Sequence, residues 1–363
     1  MRNNIIRTEQ NRTEQNRTEQ NRTEQNRDSN FELLRIFAMF MIIAHHFSVH
    51  GGFEFPKSLS DITINRLWTQ FILMGGGLGN DIFVLISGYF LVKSRAMKVS
   101  KVFDLWLRMF FYSVGIFAIF TLTGLEKFVW LDFVKSLLPP ITGWWFASCY
   151  FLLYLLHPYM NITLNSLTKS EYKRMLIIFG ICWCIIPTFL KSNFQSSNLI
   201  WFMYLYSLAG YVRLWCEDLC GKKYFMFALL LTVVNFAGAV LLDLLGLKFP
   251  FLGRPVIALY YYANQQLLTI SIAFCLFVGF RSLRVKYSAL INTIASATFG
   301  VYLIHDNAFV RRFLWLKLFR NAEFFGSRYF IAYSLAAILI VYAVCVMIEL
   351  LRMRIFAIIC TRK

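Results

Sequence analysis

The sequence predicts an all-α integral membrane protein of about ten transmembrane helices, with a polar site inside the helix bundle and a disordered N-terminal tail. Three observations carry this expectation. Of the 363 residues, 58% are hydrophobic and only 15% are charged, whereas soluble domains carry about 25% charged residues. Ten apolar stretches approach the ~20 residues that cross a bilayer as a helix. Lysine and arginine also divide unevenly between alternate loops, 23 on one side against 12 on the other, the asymmetry that orients membrane proteins.

The tail is residues 1–30. It repeats RTEQN four times in tandem over residues 7–26. Each copy carries one Arg, one Glu and no apolar side chain, so it has nothing to bury. The membrane domain then occupies residues 31–360. Its stretches run near 31–49, 71–92, 103–123, 144–160, 173–190, 199–216, 224–246, 256–280, 288–309 and 329–351. The long polar lead makes the first stretch an uncleaved span rather than a secretory signal. With the N-terminus inside, the richer set of cations faces the cytoplasm. Both termini are then cytoplasmic, and a multi-pass protein of the plasma membrane is expected. Five cations between Arg311 and Arg328 fall outside and are the discordant feature.

The net charge of +18 is read as topology, because no nucleic-acid module accompanies it. Cys182-x-Cys184 and Cys216-x-x-x-Cys220 lack a second pair at zinc-like spacing. No metal is therefore expected, and no disulfide framework.

The first span, LLRIFAMFMIIAHHFSVHGG, carries Arg35, His45 and His46, although a cation near a bilayer centre costs roughly 2.5 kcal/mol or more. Arg35 and His46 are eleven residues apart, about 20° off three full turns at 100° per residue. They share one face with Met39 and Ile42, about 16 Å apart along the axis, and His45 turns away. Either the two are a snorkelling arginine and a hydrogen-bonded histidine, or they face a wet interior and do chemistry. The second span places Gly75, Gly76, Gly77 and Gly79 before Asp81. No Gly-Lys-Ser/Thr follows, so these glycines serve close helix packing rather than a phosphate loop. Asp81 needs a partner or a proton. Beyond the span lie Lys93, Arg95, Lys98 and Lys101, suited to topology and to anionic phosphates alike.

Arg35-x10-His46, DIFVLISGYF (81–90) and the basic turn after it resemble the membrane acyltransferase-3 family. GWWFASCYFLLYLLHP (143–158) and TFGVYLIH (298–305) resemble that family's Trp-rich span and its late-span motif ending in histidine. The resemblance covers nearly the whole membrane region and excludes the repeats. It implies an O-acyltransferase moving an acyl group, acetyl being expected, from cytosolic acyl-CoA to a hydroxyl of an extracytoplasmic or lipid-linked glycan such as a surface polysaccharide. His46 is then the essential histidine and Arg35 its paired basic residue, with Asp81 orienting or charge-balancing His46. Ser87, Gly88 and Tyr89 fall on a motif tied to donor binding or packing. Arg95 and Lys98 take the place of the family's Arg-x-x-Arg, a departure that weakens the case for a guanidinium at position 98.

A sugar hydroxyl needs a base as it attacks the thioester, and neutral histidine, of pKa about 6.5, suits that work. His46 acting as acyl carrier remains open. His305, Tyr302, Trp145 and Tyr150 are acceptor-side candidates, and His50 has no assigned role. Acyl-CoA is a substrate; no bound cofactor is expected. The partners are the glycan or lipid-linked saccharide, the bilayer and, because some relatives carry an extracytoplasmic transferase domain, a separate protein of that kind. The rival readings are a proton-coupled transporter or flippase of a lipid-linked saccharide and a scaffold in which polar residues only join helices.

Overall fold

The computed structural model describes residues 29–361, apart from 55, 191, 193, 217, 220 and 250–261. The RTEQN repeats and the first part of the 256–280 stretch lie outside these residues. Regular structure is helical throughout, with no strand among the described residues.

Helix α1 is Ser29–His50. It starts two residues before the expected span, because Ser29 and Asn30 are tied down: Asn292 accepts from the Ser29 hydroxyl at 3.2 Å, and the Phe280 carbonyl accepts from the Asn30 amide at 3.0 Å. Helices α2 (Ile64–Leu73) and α3 (Gly75–Leu91) form the second apolar segment, followed by α4 (Val99–Leu122). After two short helical turns come α5 (Trp145–Ser166) and α6 (Lys169–Gly180), the latter continuing through a π-turn to Leu190. Next are α7 (Asn198–Trp215), α8 (Lys223–Lys248) and α9 (Leu267–Arg281). The ninth expected stretch is broken into α10 (Ala289–Ser296) and α11 (Thr298–His305), and α12 (Phe330–Thr361) ends the chain's helices.

Helix occupies most of the described part of every expected stretch. By length and composition, six segments among the described residues are fit to cross a membrane: Ser29–His50, Ile64–Leu91, Val99–Leu122, Lys169–Leu190, Lys223–Lys248 and Phe330–Ile359. Leu267–Arg281 and Ala289–His305 are apolar but shorter. Side-chain caps set several starts. Thr63, Ser197 and Ser288 accept backbone N–H bonds for α2, α7 and α10, and Thr168 with Glu171 makes a capping box for α6; such caps contribute about 1 kcal/mol each. Pro158 inside α5 has no N–H to offer the Tyr154 carbonyl. His157 Nδ1 bonds that carbonyl instead, at 2.5 Å.

At the centre α1 packs along α3, and α7 and α9 cover α3 from other sides. The α1–α3 approach is too close for side chains on both helices. A Cβ on Gly76 would lie 2.6 Å from the His45 ring, and one on Gly79 would lie 2.7 Å from the Ala38 carbonyl oxygen. Small residues that let backbones approach are the plain use of such glycines in a membrane bundle. The starts of α1, α4 and α10 and the end of α12 gather at one end of the bundle, where residues of all four line one cavity.

Candidate active site

His46 lies in the last turns of α1 and His305 ends α11. His305 Nδ1 sits 2.6 Å from the Val301 carbonyl. A carbonyl can only accept, so Nδ1 carries the proton and the neutral ring keeps a lone pair on Nε2. That lone pair accepts from His46 Nδ1–H at 3.0 Å. In the neutral His46 ring Nε2 is then the unprotonated nitrogen, 3.5 Å from Asp306 Oδ1. Arg311 holds the same carboxylate oxygen at 2.9 Å. A basic nitrogen thus faces a carboxylate able to stabilise the imidazolium it would become.

Two cavities lie beside this cluster: neither is lined by His46 or His305, but Tyr302 borders one and Asp306 with Arg311 the other. The larger, about 840 Å³, has Arg35, Arg108 and Arg354 at its mouth. Met39, Ile42, Phe83 and Phe146 line its course, and Tyr302 also forms part of the wall. The second, about 340 Å³, is lined by Asp132, Lys135, Trp144, Trp145, Asn307 and Arg311, with Asp306 among them. No residue lines both. The layer between them includes Phe146 and Tyr302, whose rings meet edge-on at 5.5 Å, and Tyr302 in turn lies 6.2 Å from the His305 ring.

Two of the three mouth arginines, Arg35 and Arg108, are fixed by carboxylates. Glu32 takes Arg35 at 2.6 Å. Asp104 takes Arg108 at 2.9 Å, and the buried Glu349 lies 3.6 Å from it. Glu349 also accepts from the Tyr112 hydroxyl and from two nitrogens of Arg352.

Residues 28–350 match the acyltransferase-3 family, described as "Acyltransferase domain". The chain belongs to that family. It is a membrane acyltransferase whose regular structure, among the described residues, is all helical. No curated protein and no solved structure matches it.

In this acyltransferase the face expected on α1 is present: Arg35, Met39 and Ile42 line the larger cavity, and His46 follows on the same face. Asp81 is not the partner of His46. It is buried and accepts from Trp201 Nε1 at 2.9 Å, while Asp306 takes the place beside His46. His45 turns away as expected, bonding the Leu73 carbonyl at 2.7 Å.

The donor-side candidates separate. Ser87 lines the larger cavity. Gly88 packs against the backbone of Tyr206, 2.6 Å from where its Cβ would stand. Tyr89 accepts from Arg213 at 2.9 Å and is flanked by Arg213 and Arg281 guanidinium groups. Arg95 lines a different cavity of about 600 Å³ with Lys93, Asn161 and Asn165, and Lys98 is exposed just before α4. Of the acceptor-side candidates, Trp145 lines the smaller cavity, whereas Tyr150 and Tyr302 line the larger one. Trp144 joins Trp145, with a buried indole N–H that has no hydrogen-bond partner among the described residues.

Asp306, Arg311, Arg108 and Arg354 were not singled out by sequence. The signal was present in part: Asp306 directly follows the TFGVYLIH motif, and Arg311 belongs to the discordant outer cations. A metal-capable group also exists among the described residues: His46, His50 and Asp306 offer ligand atoms within 4.8 Å of one another.

Proposed function

We propose that this acyltransferase moves an acetyl group from cytosolic acetyl-CoA to a hydroxyl of an extracytoplasmic or lipid-linked glycan. On this reading it crosses the plasma membrane ten times with both termini inside. One observation carries the reading: His46 Nε2 stands beside Asp306, which lines the smaller aromatic cavity, while Arg35, Met39 and Ile42 on the same helix line the larger, arginine-bearing one.

The donor's phosphates pair with Arg35, Arg108 and Arg354, the chemistry that charge-assisted hydrogen bonds favour. The pantetheine arm follows the apolar wall toward Tyr302. The acceptor sugar enters from the side of Trp144 and Trp145. His46 Nε2 takes the hydroxyl proton as the oxygen attacks the thioester carbon. Asp306 stabilises the imidazolium through that step. As the tetrahedral intermediate collapses, the C–S bond breaks and His46 returns the proton to the departing thiolate. The new bond is the sugar ester, and free CoA leaves by the mouth it entered. Nε2 facing a carboxylate supports His46 as base rather than as acyl carrier.

Proteoliposomes loaded with labelled acetyl-CoA test the reading against the transporter. Label should appear on external saccharide acceptor. Movement of intact saccharide without labelling would make the protein a transporter instead.

The two cationic cavities separate the donor contacts. Arg108→Ala should raise KM for acetyl-CoA about tenfold with kcat little changed, the pattern of lost binding. Arg95→Ala, in the other cavity, should shift KM less than twofold (roughly, on the same binding argument). Initial rates across donor concentration check both, and a larger KM effect at Arg95 would move the donor to the second cavity.

A further inference from the structure

We propose that His46, His50 and Asp306 form a site for a divalent transition-metal ion of zinc's chemistry, and that its occupation switches the transferase off. His46 and His50 are four residues apart on α1, the helical spacing that turns two imidazoles toward one ion. Their rings lie 5.4 Å apart. Asp306 closes the group from the far side of His46, and the three ligand atoms fall within 4.8 Å of one another.

The proton arrangement prepares the site. His46 Nδ1 donates to His305, so Nε2 presents its lone pair to a carboxylate oxygen at 3.5 Å. Two acceptors face each other and share no hydrogen. Zinc binds nitrogen and oxygen at ~2.0–2.2 Å, so tetrahedral ligands stand about 3.4 Å apart. The His46–Asp306 pair already has that spacing, and rotation of the His50 side chain supplies the third ligand. No hydrogen bond holds His50 among the described residues. Arg311, on the same Asp306 oxygen at 2.9 Å, competes with the ion and keeps the site reversible.

An ion on Nε2 takes the lone pair that would deprotonate the acceptor hydroxyl. Donor binding at the arginine mouth is untouched, so inhibition competes with the acceptor and not with acyl-CoA. This inhibitory consequence rests on the function proposed above, whereas binding of the ion does not.

The test uses the full chain, stripped with chelator and held in nanodiscs. Cobalt(II) serves as the spectroscopic probe and zinc as the competitor. The wild type should develop visible cobalt bands that zinc abolishes, and zinc should stop acyl transfer until chelator is added. His50→Ala and His50→Gln should keep metal-free turnover, yet need about tenfold more zinc for half-inhibition and for cobalt displacement. Equal metal affinity in wild type and both His50 variants would overturn the site. Lower activity in stripped protein, restored by zinc, would overturn the inhibitory role. Wild type that binds cobalt through His50 but transfers no acyl group would keep the site and overturn the function proposed above.

Discussion

His46→Ala should abolish acyl transfer while the protein still inserts and accumulates. The substitution removes the only nitrogen in the proposed mechanism that takes the acceptor's proton and then passes it to the departing thiolate. General-base assistance alone contributes roughly 10²–10⁴-fold, and the loss extends further because His305 and Asp306 then face an empty position. His45→Ala is the control on the neighbouring residue. It breaks a bond to the Leu73 carbonyl and a contact with Gly76, so it lowers stability but retains substantial turnover. Labelled transfer in proteoliposomes, normalised to inserted protein, reads both. A dead His45 variant beside an active His46 variant would shift the active face of α1 by one residue.

Asp306→Asn should lower kcat roughly 10²-fold, the scale of losing one preorganised electrostatic partner of a transition state. Asparagine keeps the shape and an oxygen for Arg311, so the outer cavity persists. What disappears is the negative charge 3.5 Å from His46 Nε2, needed only once the imidazolium forms. KM for acetyl-CoA should therefore stay within about twofold of wild type, the mark of an interaction made in the transition state. Steady-state kinetics in both substrates decide it. A raised donor KM with kcat intact would assign Asp306 to donor binding.

The face of α1 was legible because helical periodicity is a local rule. Arg35, Met39, Ile42 and His46 recur every three or four residues, and three of them line one cavity. The glycines of α3 were legible for a similar reason, since a run of small residues in an apolar segment has few other uses. The partner of His46 was not. Asp81 was the carboxylate nearest the middle of a span, but which carboxylate meets His46 depends on how α11 ends against α1, and periodicity carries no such information. Arg311 stood among the outer cations that disagree with the charge asymmetry and had no other assignment, and Arg354 was one of the many cations counted on the richer side. Nothing local to Arg108 marks it, because one of its carboxylates, Glu349, lies far along the chain on α12. Span counting met a physical limit too. The stretch at 288–309 breaks between Ser296 and Thr298, and in the helix after the break Tyr302 lines the larger cavity while His305 meets His46.

That no residue lines both cavities has an electrical consequence for the proposed reaction. Coenzyme A and the saccharide each remain on their own side, and only an acyl fragment and a proton pass the wall. The acyl carbon leaves as an acylium equivalent moving outward, while the hydroxyl's proton ends on the thiol inside. One positive equivalent goes each way, so a full turnover moves no net charge through the membrane. A carrier that imported a proton with its saccharide would gain about 2.3 kcal/mol per charge from each 100 mV. This transferase draws nothing from that field; thioester cleavage inside the cell drives ester formation outside it, whatever the voltage between them.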